Sequence, residues 1–124
     1  MPRRPTERPT QIIQGAPLLE VPDVKRAADY YRDILGFQSD PEGTSDEYTV
    51  VWRDNAAIHL ARGERPVSGV RVFFWVEDVN ALHEEVLSRG AEITVPIGTR
   101  PYRIRDFGVS DPNGVALVFG QDWD

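Results

Sequence analysis

Few side chains in this sequence could act on another molecule. There are two histidines, His59 and His83, and no cysteine. That removes the thiolate nucleophile, the thiolate metal site and the disulfide framework together. The run Arg71-Val72-Phe73-Phe74-Trp75 carries more. In a strand, alternate side chains share a face, so Arg71, Phe73 and Trp75 would project together while Val70, Val72, Phe74 and Val76 turn the other way. Such a face could stack on a flat ligand and orient a charged group on it. Trp52 and Tyr48, in "YTVVWR", offer further aromatic surface, and ligand pockets combine aromatic walls with a few polar groups; each ring alone reads equally as core. His59, in "AAIHLAR", could exchange hydrogen bonds with a ligand or act as a general base. The favoured reading is the plainer one, a hydrogen-bonded histidine in a half-buried strand. An inward Arg71 needs an anionic partner, either an internal acid such as Glu20 or Asp106 or an anionic ligand. His83 is expected to face solvent, and Glu84, Glu85 and Glu92 to form a solvated acidic face. No glycine-rich phosphate loop, Ser-His-Asp order or His-x-x-x-His spacing is present.

The elements that must position these residues come in two near-copies. "VPDVKRAADYYRDILGF" begins at Val21 and "VEDVNALHEEVLSRGAEI" at Val76, each opening on Val-x-Asp-Val and reaching a glycine. Asp23 and Asp78 lie 55 residues apart and Gly36 and Gly90 lie 54 apart, the mark of a duplicated unit. In the first copy "GAPLLEV" reads as a strand and Asp23 as an N-cap. Val24, Ala27, Ala28, Tyr31 and Leu35 then make a helical face, and Gly36 supplies the left-handed residue that ends it. "YTVVWR" and "AAIHLAR" are strands joined by a tight turn at Asp54-Asn55. In the second, "GVRVFFWV" is a strand and Asp78 caps a helix with Val79, Leu82, Val86 and Leu87 as its apolar stripe. "AEITVPIG", "RIRDFGVS" and "VALVFG" are further strands, the last two joined by the turn "DPNG". The order is β-α-β-β-β, twice, an α+β class. The expected organisation is a flexible N-terminal arm (residues 1–11), a first module (12–66), a second module (67–120) and a short tail (121–124) whose Trp123 is a dimer contact or a frayed end.

At 124 residues with 40% hydrophobic content, the chain is expected to form one domain or two small modules sharing a core. Its net charge of −6 provides no basic stripe for nucleic acid. No run approaches the roughly 20 apolar residues of a membrane span. With no cysteines and no signal-like N-terminus, a cytoplasmic location is expected.

The layout resembles the vicinal oxygen chelate superfamily, which includes glyoxalase I, extradiol dioxygenases, and fosfomycin- and bleomycin-resistance proteins. The resemblance runs from about Gly15 to Gly120 and is carried by "LEVPDVKRAADYYRDILGF" and "RDFGVSDPNGVALVF". It implies two modules forming a cup-shaped mixed sheet with helices on the outer face. Metal-dependent members hold their ion on the concave face, and the matching positions here are Ala16, His59, Arg71 and Val118. A methyl, a protonated guanidinium and an isopropyl are not ligands, so no metal and no cofactor are expected. The chain is instead similar to the metal-free bleomycin-resistance group, in which two subunits combine to form clefts for a flat cationic drug. "RPYRIRDF" resembles that group's aromatic-Gly-x-Arg stretch, placing Tyr102 and Arg105 in matching positions, with Arg103 where glycine is usual. The resemblance implies a homodimer that sequesters a small, aromatic molecule, bound by Trp52, His59, Arg71, Phe73, Trp75, Tyr102 and Arg105. The alternatives are a metal-independent isomerase or lyase with His59 as base, and an interaction module whose cup is filled by its own side chains.

Overall fold

The computed structural model describes residues 11–65 and 69–124. The expected arm (apart from Gln11) and the expected module boundary between 66 and 67 lie outside the described residues. The first module comprises β1 (Leu18–Val21), α1 (Val24–Asp33), β2 (Gln38–Ser39), β3 (Tyr48–Arg53) and β4 (Ala56–Arg62). The second comprises β5 (Arg71–Trp75), α2 (Val79–Ser88), β6 (Ile93–Thr99), β7 (Ile104–Ser110) and β8 (Ala116–Asp122). Each forms a four-stranded sheet, ordered β1-β4-β3-β2 and β5-β8-β7-β6. In both, the first strand runs parallel to the last and the remaining pairs are antiparallel. The doubled β-α-β-β-β order is therefore observed.

Local chemistry sets the helices. Asp23 accepts the amide of Arg26 and Asp78 that of Ala81, each at 3.0 Å, which satisfies an orphan donor of the first turn. Gly36 and Gly90 follow at φ +74° and +96°, backbone angles that a side chain would strain. On α1, Val24, Ala27, Ala28 and Tyr31 are buried, with Leu35 just beyond. The stripe of α2 differs from expectation. Val79 and Val86 are buried and Leu82 is half-buried, but Leu87 is 51% exposed. His83, expected in solvent, instead packs edge-on against Phe107 at 5.0 Å. At 3.6 residues per turn His83 lies about 50° around the helix from the midpoint of Val79 and Val86 and Leu87 about 90°, so His83 sits nearer the buried face.

The strands differ from expectation in two places. The two-residue β2 has no pattern of its own and exists through pairing with Val51 and Trp52. The last strand runs on to Asp122, because Arg105 and Ile104 pair with Gln121 and Asp122. The tail thus begins after Asp122, and Trp123 packs against the core of its own chain.

The helix-bearing sides of the two sheets meet in a single core. The Tyr31 hydroxyl donates to Asp111 Oδ2 at 2.8 Å and Phe37 meets Phe74 edge-on at 6.2 Å. Arg53 holds Glu85 through two hydrogen bonds of 2.8 and 2.9 Å. Burial, reinforced by the Asp111 carboxylate, raises Tyr31 far above the ordinary tyrosine range, so its hydroxyl stays a donor. Large core side chains such as Tyr31, Phe107, Leu35 and Ile58 each contribute about 1.5–3 kcal/mol of burial. The helix-free face of each sheet is left outside this core.

Candidate functional site

The helix-free face of the second sheet carries the residues that alternation selects. Arg71, Phe73 and Trp75 are exposed along β5, while Val72 and Phe74 pack against the core. Phe73 and Trp75 are each 43% exposed and meet edge-to-face, 4.9 Å apart at 62°. Strand register arranges the face in rows. Arg71 pairs with Ala116 and then Ser110, Phe73 with Val118 and then Gly108, and Trp75 with Gly120 and then Asp106. Gly120 is a seat for Phe73, since a Cβ there would come within 2.6 Å of Phe73 Cζ and 3.0 Å of Ile104 Cγ2. Beyond Trp75 an open groove of ≈ 670 Å³ is lined by Trp75, Tyr102, Arg103, Ile104, Asp122 and Asp124.

Asp106 is buried and accepts Arg100 Nε at 2.8 Å and the Tyr102 hydroxyl at 3.0 Å. Partial desolvation and that bond to Asp106 raise the Tyr102 hydroxyl above its ordinary value. Glu20, on the other module, takes Arg65 through two bonds of 2.6 and 2.7 Å, which hold its carboxyl below the usual range. Both acids considered as partners for Arg71 are therefore engaged elsewhere. Arg71 is exposed, and among the described residues it has no hydrogen bond or ion pair. The expected internal pairing of Arg71 is thus replaced by an uncompensated guanidinium beside two uncovered rings.

Arg105 stands apart. Strand alternation puts it on the helix side of β7, where it donates to Asn80 Oδ1 at 2.8 Å and Thr99 Oγ1 at 3.2 Å and lies 5.4 Å over the Trp123 ring. Arg103 sits at φ +62°, so the loop keeps the left-handed turn that glycine would favour. The cost is about 1–2 kcal/mol.

On the first sheet, Trp52, His59 and Tyr48 share the helix-free face, while Thr49, Val51, Ile58 and Leu60 are buried behind them. His59 lies between Leu18 and Val50 in register. Its Nδ1 shares a hydrogen bond with the Tyr48 hydroxyl, and the two rings meet edge-to-face at 5.7 Å. When Nδ1 accepts, the proton of the neutral ring is on Nε2. Tyr48 is the partner the sequence reading did not find. The turn at Asp54–Asn55 pairs Val50 with His59 and Tyr48 with Ala61, which puts Tyr48 diagonally across from His59 on one face.

A metal at the family position is tested by these side chains. Ala16, His59, Arg71 and Val118 offer one imidazole among them. Among the described residues no group of three or more His, Asp or Glu could hold an ion. The donor set does not fit a metal.

Comparison with known proteins follows the geometry. The sequence profile described as "Glyoxalase/Bleomycin resistance protein/Dioxygenase superfamily" matches residues 14–119. None of the curated proteins compared matches the chain. Among solved structures, the bleomycin-binding protein from bleomycin-producing Streptomyces verticillus, complexed with copper(II)-bleomycin, is similar at TM-score 0.75 and 27% identity, covering 89% of this chain and 96% of that one. A glyoxalase-related enzyme from Clostridium phytofermentans superposes at TM-score 0.74 and 24% identity, covering 94% and 99%. TioX from Micromonospora sp. ML1 does so at 0.75 and 22%, covering 88% and 98%. The latter two likenesses speak to the fold alone.

Proposed function

Because the chain belongs to the glyoxalase/bleomycin resistance protein/dioxygenase superfamily, whose shared fold hosts catalysts and passive binders alike, we propose that it sequesters a small aromatic molecule in a metal-free cleft between two copies of itself. The observation that carries this reading is the Phe73–Trp75 pair, two large rings left 43% exposed on a sheet face that no helix covers. Exposed aromatic clusters on otherwise well-packed domains mark binding surfaces. The similar bleomycin-binding protein supports a small-molecule role at the level of the whole fold.

Where the faces point supports the proposed dimer. Each chain presents two helix-free faces on opposite sides of one core, and neither alone encloses a ligand. A twofold pairing that lays the Tyr48–His59 face of one copy over the Phe73–Trp75 face of another closes two equivalent clefts. The test is sedimentation velocity combined with tryptophan-fluorescence titration in chelator, with bleomycin and small aromatics as ligands. A dimer that binds one aromatic per chain supports the reading. A monomer that quenches with none of them overturns it.

One observation favours a second reading. Tyr48 supplies the hydroxyl within reach of His59 that a metal-free isomerase or lyase would need. If this is the function, a ligand found by titration is converted, as followed by proton NMR in deuterated buffer, and His59→Gln abolishes the conversion. Recovery of the ligand unchanged and undeuterated supports sequestration.

A further inference from the structure

We infer that the ligand is an anion: a flat aromatic carboxylate whose acid group pairs with Arg71 while its rings lie on Phe73 and Trp75. This rests on the reading of that face as the binding surface and names the chemical class it selects.

Three observations carry it. First, Arg71 lies exposed beside the two rings, and its cross-strand row, Ala116 and Ser110, contains no carboxylate. The two acids that could have neutralised it are taken, Glu20 by Arg65 and Asp106 by Arg100. Arg71 itself has no partner among the described residues. Second, guanidinium geometry matches a carboxylate, presenting paired N–H donors to two oxygens. Third, the rings stand at the right interval. Phe73 is two residues along the strand from Arg71, roughly 7 Å, so a carboxylate at Arg71 places an attached bicyclic ring over Phe73. Beyond it, Trp75 closes the row above Gly120.

The experiment uses three matched probes at constant ring size: 2-naphthoate, 2-naphthamide and 2-naphthylmethylamine, titrated into wild type, Arg71→Gln and Phe73→Ala by tryptophan fluorescence. Circular dichroism confirms that each variant is folded. Wild type is expected to bind naphthoate roughly tenfold or more tightly than the amide, and the amine most weakly. Arg71→Gln should weaken naphthoate far more than the amide and so erase the preference, and Phe73→Ala should weaken all three. Equal binding of the three, preference for the amine, or an unchanged naphthoate affinity in Arg71→Gln overturns the anion assignment and leaves the aromatic site standing. Failure of every probe to bind overturns the assignment together with the binding-face reading beneath it.

Discussion

Replacing Tyr31 by Phe removes one oxygen from the join between the two modules. That hydroxyl donates to Asp111 Oδ2 at 2.8 Å, and the two residues are only 0% and 4% exposed. The other carboxylate oxygen is occupied, accepting the amides of Asn113 and Val115 at 2.8 and 2.9 Å. Phenylalanine keeps the ring packing, so the loss is the hydrogen bond alone, and water has little access to replace it. A hydrogen bond to a charged group is worth about 1.5–3 kcal/mol, and we expect about 2 kcal/mol. For a domain between the usual size classes this lowers Tm by about 6–10 °C. Tyr30→Phe is the internal control, since its hydroxyl meets the neutral Ser110 carbonyl at 3.2 Å in a half-buried position and should cost about 0.5–1.5 kcal/mol. Urea titration and thermal melts at fixed protein concentration measure both, because association would shift apparent stability. A Tyr31→Phe protein within about 0.5 kcal/mol of wild type, or no weaker than Tyr30→Phe, refutes the claim that this bond fastens the modules.

Two further outcomes are expected. Hydrogen bonds from Arg53 hold the Glu85 carboxyl below its ordinary value of 4.5, against the opposing effect of partial burial. A depressed folded value means stability is present above pH 4.5 and lost as pH falls through the lower folded value. Glu85→Gln should therefore flatten the acid limb while costing under about 1 kcal/mol at pH 7, because the pair is a third exposed. A urea midpoint that drops as far in the variant as in wild type between pH 7 and pH 3 contradicts this. Gly120→Ala would put a methyl 2.6 Å from Phe73 Cζ and lift that ring from its seat. Weaker 2-naphthoate binding with a nearly unchanged Tm is expected, because Phe73 lies outside the core, and unchanged binding would show that the seat is not part of the site.

What the sequence disclosed follows from how locally each feature is determined. The helices were legible because Asp23, Asp78, Gly36 and Gly90 act within a turn or two of themselves. The face of β5 was legible because alternation needs no knowledge of neighbours, and Arg71, Phe73 and Trp75 do share it. β2 was not, since two residues carry no periodicity and its existence depends on β3. The fate of Arg71 was not legible either. Whether Glu20 or Asp106 turns toward it depends on Arg65 and Arg100, competitors placed by loops rather than by pattern. Arg105 was assigned by resemblance to a stretch, whereas its side is set by strand parity, which sends it to Asn80. Tyr48 could have been found by counting outward from the Asp54–Asn55 turn.

The meeting of both helix-bearing sides in one core has a consequence for how such a protein can change. The side chains that hold the chain together and those that meet a ligand are drawn from opposite faces of the same strands. Leu117 and Phe119 are buried in the core, while their neighbours Val118 and Gly120 face the other way, in the rows of Phe73 and Trp75. Substitution on the outer face leaves the packing behind it intact, so the two sets are free to diverge at different rates. A new ligand requires rewriting alternate letters of β5 and β8, and the letters between them can stay as they are.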